Sequence, residues 1–475
     1  MSPRVSALAV ALVVAASNAG AADDPALTIY RADGDALFDS NGSPIADGYA
    51  IVHEQRVVKL TGGRQSVVVD GLPSTLDAEA VSIQFPGGTR VLGQRVMSAG
   101  DGGMLSAHRG ETIKVTLRSS SVEGTLVGID NGALIVRSAD GNVVYVRDYE
   151  TIAFAQGTGL PGSTLQLAVD GKPGDVSATL TYPTSGLGWR AAYALTLLDD
   201  TGCRMRLDAL ASIANRSGRN YSGAMLKLVA GSPNISRGGP RPVMYKAMAV
   251  AAAPAPDGMP EQTTLGDYRS YAIDGALDLP DASVTQVPLY APGELACERR
   301  WIAENGSAWF PPKPLTVENA MSYSGGPVNS EIRFTPAENL PAGNLRVLTH
   351  DRDGQIEFLG EARIGDTQKG RALPISLGNA FDLQVTRERT AFSVDKAART
   401  MSESLRIVLT NTGDSARTVT VREHPNRWRA WTLASSSQKP TKQSPDLLEF
   451  EIVVPANAKA TLDYTVKYTW TPKDE

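Results

Sequence analysis

The chain has 475 residues, 42% of them hydrophobic and 20% charged, with a formal net charge of −5. That length exceeds what one hydrophobic core commonly serves, so more than one domain is expected. A mildly acidic chain lacks the electrostatic footprint for nucleic acid or anionic lipid, which disfavours both as partners.

The N-terminus reads as a secretory signal over residues 1–21. Arg4 supplies the positive start, Ala7 to Ala16 is an unbroken apolar run, and Ala19-Gly20-Ala21 is a small-residue cleavage pattern. As a helix the apolar run would cover only about 15 Å, about half a hydrocarbon core. No cysteine lies near the cleavage point and no later segment is long and apolar enough to span. The mature protein is therefore expected to be periplasmic or secreted, with cleavage after Ala21 and no transmembrane segment afterwards. Its charge falls by one unit when Arg4 leaves.

Short β-branched or alternating runs, punctuated by Asp-Gly, Asn-Gly and Gly-Gly, fill the rest of the chain. Gln65 to Val69 precedes Asp70-Gly71, and Leu345 to Leu348 leads through Asp353-Gly354 to Ile356 to Leu359. Turn dipeptides between extended runs signal hairpins. Long windows of helical spacing are scarce, so the fold class is all-β and multidomain, with antiparallel β-sandwiches. An N-terminal β region is expected over 22–107. A small barrel of SH3 or Sm type follows over 108–156, where five short strands fit with tight turns between them. A β-sandwich region is expected over 160–235 and a C-terminal one over 283–475. Between them, residues 236–282 begin with Gly- and Pro-rich sequence and the Ala/Pro run Met248 to Pro256, and read as a low-complexity loop or disordered insertion.

Cys203 and Cys297 are the two cysteines. In an exported protein such thiols tend to pair, and a Cys203–Cys297 disulfide is expected. Without a Cys-x-x-Cys spacing its role is structural.

Gly157-Thr-Gly-Leu-Pro-Gly162 matches a dinucleotide fingerprint, but the continuation Ser163 to Val169 alternates like a strand where a helix is needed. It reads as a linker. Asp351-Arg-Asp353-Gly354 resembles a calcium loop yet lacks ligands at its first and last positions, and a hairpin turn explains it better. His53, His108, His350 and His424 are scattered, leaving few soft ligands for a metal. There is no G-x-S-x-G elbow, and the two Ser-x-x-Lys matches, at Ser393 and Ser436, lack supporting elements. Neither a catalytic residue nor a cofactor is assigned.

One stretch points to binding. Arg427-Trp428-Arg429-Ala430-Trp431 interleaves cations with large aromatics, and Trp301 and Trp309 lie in a nearby Pro-rich stretch. Exposed Trp and Arg are preferred contact residues, and flat aromatic faces stack on sugars. The alternative is core packing, since in a strand Trp428 and Trp431 point to opposite faces.

Gly186-Leu-Gly-Trp-Arg-Ala-Ala-Tyr193, Asn215-Arg-Ser-Gly218 and Leu226-Lys-Leu-Val-Ala-Gly231 together resemble bacterial proteins that carry the domain of unknown function DUF4139. Leu340 to Val347, Phe358-Leu-Gly-Glu361 and Leu377-Gly-Asn-Ala-Phe-Asp382 fit the same pattern. The chain departs from it ahead of Leu340, where Arg333 to Asn339 replaces a Gly-rich approach. The resemblance implies a β-rich fold and, through a distant relation to the mucoidy inhibitor A family, a link to envelope polysaccharide. It supplies no active site. Its glycines, Trp189 and Tyr193 read as scaffold.

The expected function is that of an exported, non-catalytic scaffold or binding protein for an envelope protein or polysaccharide. The alternatives are an envelope-acting hydrolase whose site is assembled from distant loops, or a subunit of a surface assembly. The sequence leaves the oligomeric state open.

Overall fold

The computed structural model describes residues 24–39, 45–97, 105, 109–154, 162–199, 203–231 and 260–474. The signal-like segment 1–21, His108, most of the Gly-rich stretch 157–162 and the Ala/Pro run lie outside them. The described chain is almost wholly strand and turn, arranged in several sheets dominated by antiparallel pairs. No helix among the described residues is long and apolar enough to cross a membrane.

The chain divides into two compact units, one of residues 1–191 and 210–291, the other of 192–209 and 292–475. The strands Leu187–Asp199, Arg204–Asn215 and Ser283–Asn305 contribute residues to both. Unit boundaries therefore fall inside strands, one of them at Ala291 beside the pair Pro292-Gly293, and differ from boundaries at 160 and 283.

In the first unit, Ala50–Leu60 shows how the sequence sets the sheet. Ala50, Val52, Glu54, Arg56, Val58 and Leu60 are all buried, while the residues between them face outward. This strand pairs antiparallel with Gly174–Thr184, whose Ala178, Leu180 and Tyr182 are buried. Both belong to a seven-stranded sheet; Ser163–Gly171 lies at the centre of a separate three-stranded sheet, again with alternate residues buried. Trp189 is fully buried and donates through Nε1 to the Val229 carbonyl at 3.0 Å, joining two of the stretches that carry the family resemblance. Gly186 has φ +76°, and a Cβ there would stand 2.6 Å from the Arg216 carbonyl oxygen, so only glycine fits.

Two inward positions carry charge. Glu54 accepts from Arg219 Nη2 at 2.7 Å and from Arg56 Nη2 at 3.0 Å, and Arg219 also donates to the Tyr182 hydroxyl. Burial raises the pKa of Glu54, but Arg219 and Arg56 outweigh it and hold the carboxyl below its ordinary value.

Residues 109–154 form their own antiparallel sheet of five strands around Ile113, Val115, Leu126, Leu134, Val136 and Val146. The strands are Thr112–Thr116, Ser121–Asp130, Ala133–Arg137, Val143–Val146 and Thr151–Phe154.

The expected loop at 236–282 differs from the structure in its described part. Glu261–Leu265 and Tyr268–Leu279 make a hairpin about the two-residue turn Gly266–Asp267, with Gly266 at φ +61°. Tyr271 and Leu279, on its second strand, are buried. The Ala/Pro bias of the preceding run masks an ordinary Gly-Asp turn signal.

The second unit is built on alternation as well. Met401, Glu403, Leu405, Ile407 and Leu409 point inward from Thr400–Asn411. The four apolar ones pack with Trp428, Phe450, Leu462 and Tyr468 in one core. Cys203 and Cys297 both lie in this unit, with their sulfurs 2.04 Å apart, and Cys297 N donates to the Cys203 carbonyl at 2.7 Å.

Candidate functional site

The Arg427–Trp431 stretch does not form the four-residue surface that its composition suggests. Arg427 is fully buried: its Nε meets Glu403 at 2.7 Å, and its Nη atoms donate to the carbonyls of Leu315, Val317 and Glu318 at 2.9–3.0 Å. Tyr323 donates its hydroxyl to the same carboxylate, and burial followed by Glu403 pushes the Tyr323 phenol above its ordinary range. Trp428 is 1% exposed in the core. Arg429 is exposed and pairs with Asp474 at 2.9 Å. Trp431 is half-buried and donates Nε1 to the Pro445 carbonyl at 2.7 Å. Desolvating the Arg427 guanidinium is offset by four hydrogen bonds, so this residue is a fastener of the core.

Two of the histidines serve local structure. His53 bonds Thr181, while His424 spans the Asp446 carbonyl and Glu304, at 2.6 Å on each side. Among the described residues no group of three or more His, Cys, Asp or Glu is placed to hold a metal. Asp351 Oδ1 accepts from the backbone N–H groups of Asp353 and Gln355, which ties this side chain into the hairpin turn. Glu423, wholly buried, accepts from Arg387, Asn305 and Tyr464.

A groove in the second unit gathers groups that are differently placed. Its floor uses Trp301, on Ser283–Asn305, whose neighbours across the sheet are Ser330 and Val419. Arg299, two residues earlier, shares its face. The guanidinium carbon of Arg299 lies 5.6 Å from the Trp301 ring centroid, and that of Arg417 lies 4.6 Å away. Among the described residues, Arg417 has no carboxylate partner and the buried Ser330 Oγ has no hydrogen-bond partner.

One wall comes from Leu373–Asp395. Against the neighbouring strand Gly326–Phe334, its register jumps from Asn329↔Asn379 to Pro327↔Gln384, two steps on one strand against five on the other. The extra residues form a bulge, an irregularity that re-aims side chains and is common beside functional sites. Gly378 opens it at φ +95°, and Thr412 N fixes it by donating to the Asp382 carbonyl at 2.9 Å. Phe381 emerges 95% exposed, an unusual position for a large aromatic. Asn379 and Asp382 flank it on the same wall, and Leu359, from Ile356–Ile364, also lines the groove.

A family profile, described as a domain of unknown function (DUF4139), matches residues 178–472. The chain belongs to the DUF4139 family. No curated protein matches the chain. Within this DUF4139 domain, two of the stretches that carry the sequence resemblance, Phe358–Glu361 and Leu377–Asp382, meet at the groove. The first brings Leu359; the second brings Leu377, Asn379, Ala380, Phe381 and Asp382. Sequence reasoning singled out Trp301 but missed Arg417 and Phe381. The i, i+2 spacing of Arg299 and Trp301 signalled a shared strand face, whereas the approach of Arg417 depends on a parallel pairing between distant segments.

Proposed function

We propose that this DUF4139 protein is exported to the cell envelope, periplasmic or secreted, and there binds an envelope protein or polysaccharide without transforming it. The groove around Trp301 is the binding site. The observation that carries this reading is the meeting of two family stretches there, one of them bulged so that Phe381 stands in solvent. An exposed aromatic ring beside half-buried Arg side chains on a fixed sheet is what recognition by contact uses. Among the described residues the groove is lined by one carboxylate, Asp382, beside two guanidiniums, which suits holding a ligand better than the paired carboxylates of glycoside hydrolysis. Export is supported by the N-terminal pattern and by the cysteine pair at disulfide distance.

The test is affinity capture from intact envelope with the wild-type protein and with Phe381→Ser and Arg417→Gln, each checked for an unchanged melting temperature. Both variants are expected to lose the captured partner. An identical partner set for all three proteins would overturn the assignment of this groove.

A further inference from the structure

The charge in the groove is at odds with the charge of the chain. The protein carries a net charge of −5, yet two arginines stand against one indole, and Arg417 has no carboxylate partner among the described residues. A guanidinium held on an aromatic ring is partly desolvated and restricted in orientation, while its N–H donors remain able to grip a planar anion in bidentate fashion. Ser330 Oγ, buried on the groove lining, is a further polar atom without a hydrogen-bond partner among the described residues.

The wall opposite in chemistry is Asn379, Phe381 and Asp382. It offers an amide, an exposed ring and a carboxylate that accepts hydroxyl protons. From this pairing we infer that the groove takes an acidic saccharide, a sugar unit bearing a carboxylate. The inference rests on the binding function proposed above and names the chemistry of the ligand. The sugar carboxylate meets Arg417, with Arg299 alongside. The apolar face of the ring lies on Phe381, and the hydroxyls meet Asn379 and Asp382. A uniformly acidic peptide fits less well, because Asp382 repels it along its length. A sugar acid keeps its charge and its hydroxyls apart and satisfies both ends of the groove.

The experiment is titration calorimetry of the full mature chain with three probes: an oligogalacturonate, its fully methyl-esterified counterpart and polyglutamate of similar length. The oligogalacturonate is expected to bind at least about tenfold more tightly than the ester. Arg417→Gln should abolish that preference, Phe381→Ser should weaken both saccharides alike, and added salt should narrow the gap. Equal binding of acid and ester overturns the acidic specificity and leaves groove binding intact. Polyglutamate binding as tightly as the oligogalacturonate overturns the choice of a saccharide. If no probe binds while envelope capture still depends on Phe381, the ligand chemistry is wrong and the binding function stands. If capture is also indifferent to Phe381, both fail.

Discussion

A Cβ placed on Gly360 would stand 3.3 Å from the Cα of Leu377. Gly360 lies in Ile356–Ile364 and Leu377 immediately precedes the bulge that exposes Phe381, so this close approach holds one groove wall against the other. The neighbour is backbone and cannot swing aside as a flexible side chain would. Gly360→Val is expected to force the two segments apart, with an overpacking penalty of about 1–3 kcal/mol. Partner capture should fall far more than that modest loss implies, because Leu359 and Phe381 no longer face one ligand together. Urea unfolding alongside the capture assay checks both parts; unimpaired capture by a folded Gly360→Val protein would show that the approach is incidental.

The Glu403–Arg427 pair predicts a different pattern. Both side chains are almost wholly buried, and Arg427 also fastens residues 315–318 through three carbonyls. Arg427→Ala leaves a buried carboxylate without its cation, which typically costs about 3–5 kcal/mol. Glu403→Leu combined with Arg427→Leu removes both charges together and should recover part of that loss. If the double variant is no more stable than Arg427→Ala in urea unfolding, the unpaired Glu403 charge is not what makes the single substitution costly.

These two sites mark how much of the molecule is legible in its residues. Alternation gives the strands directly, as in Ala50–Leu60 and Thr400–Asn411, and Asp353-Gly354 gives its hairpin. The role of Arg427 is hidden because composition alone cannot tell a surface cation from a buried one. The available signal was Glu403 at an inward position of an otherwise apolar alternation, a buried charge that demands a partner. Residue 403 lies 24 positions from Arg427, and only the tertiary fold joins them. The groove is legible in part. Trp301 draws notice as an aromatic, whereas the bulge at 380–383 is a property of register between two strands and leaves little trace in either alone.

The Cys203–Cys297 bridge spans 94 residues. In the chain-entropy model such a loop contributes about 4–5 kcal/mol, through the unfolded state. Because both cysteines lie in the second unit, reduction should lower protection there first. Hydrogen exchange of the protein with and without reductant is expected to show faster exchange in 292–474 and little change in Ala50–Leu60. Uniform loss across both units would mean that they unfold as one.

Acid should act on the first unit through Glu54. Its carboxyl is held below its ordinary value of 4.5 by Arg219 and Arg56, against the opposing effect of burial. A carboxyl with a lowered folded-state pKa gives stability that is complete above the unfolded value and is lost as pH falls through the folded one. The ion pairs therefore hold at neutral pH and fail below 4.5. Glu54→Gln keeps the size of the side chain but gives Arg219 and Arg56 a neutral partner, so the variant should be less stable near neutrality. As Glu54 protonates in the wild type, the two proteins become alike in charge at this site. Hydrogen exchange read within the first unit, from neutral pH down to about pH 3, should show the gap between them closing as pH drops. A gap that keeps its full size to the acid end would mean that the Glu54 charge does not support this part of the fold.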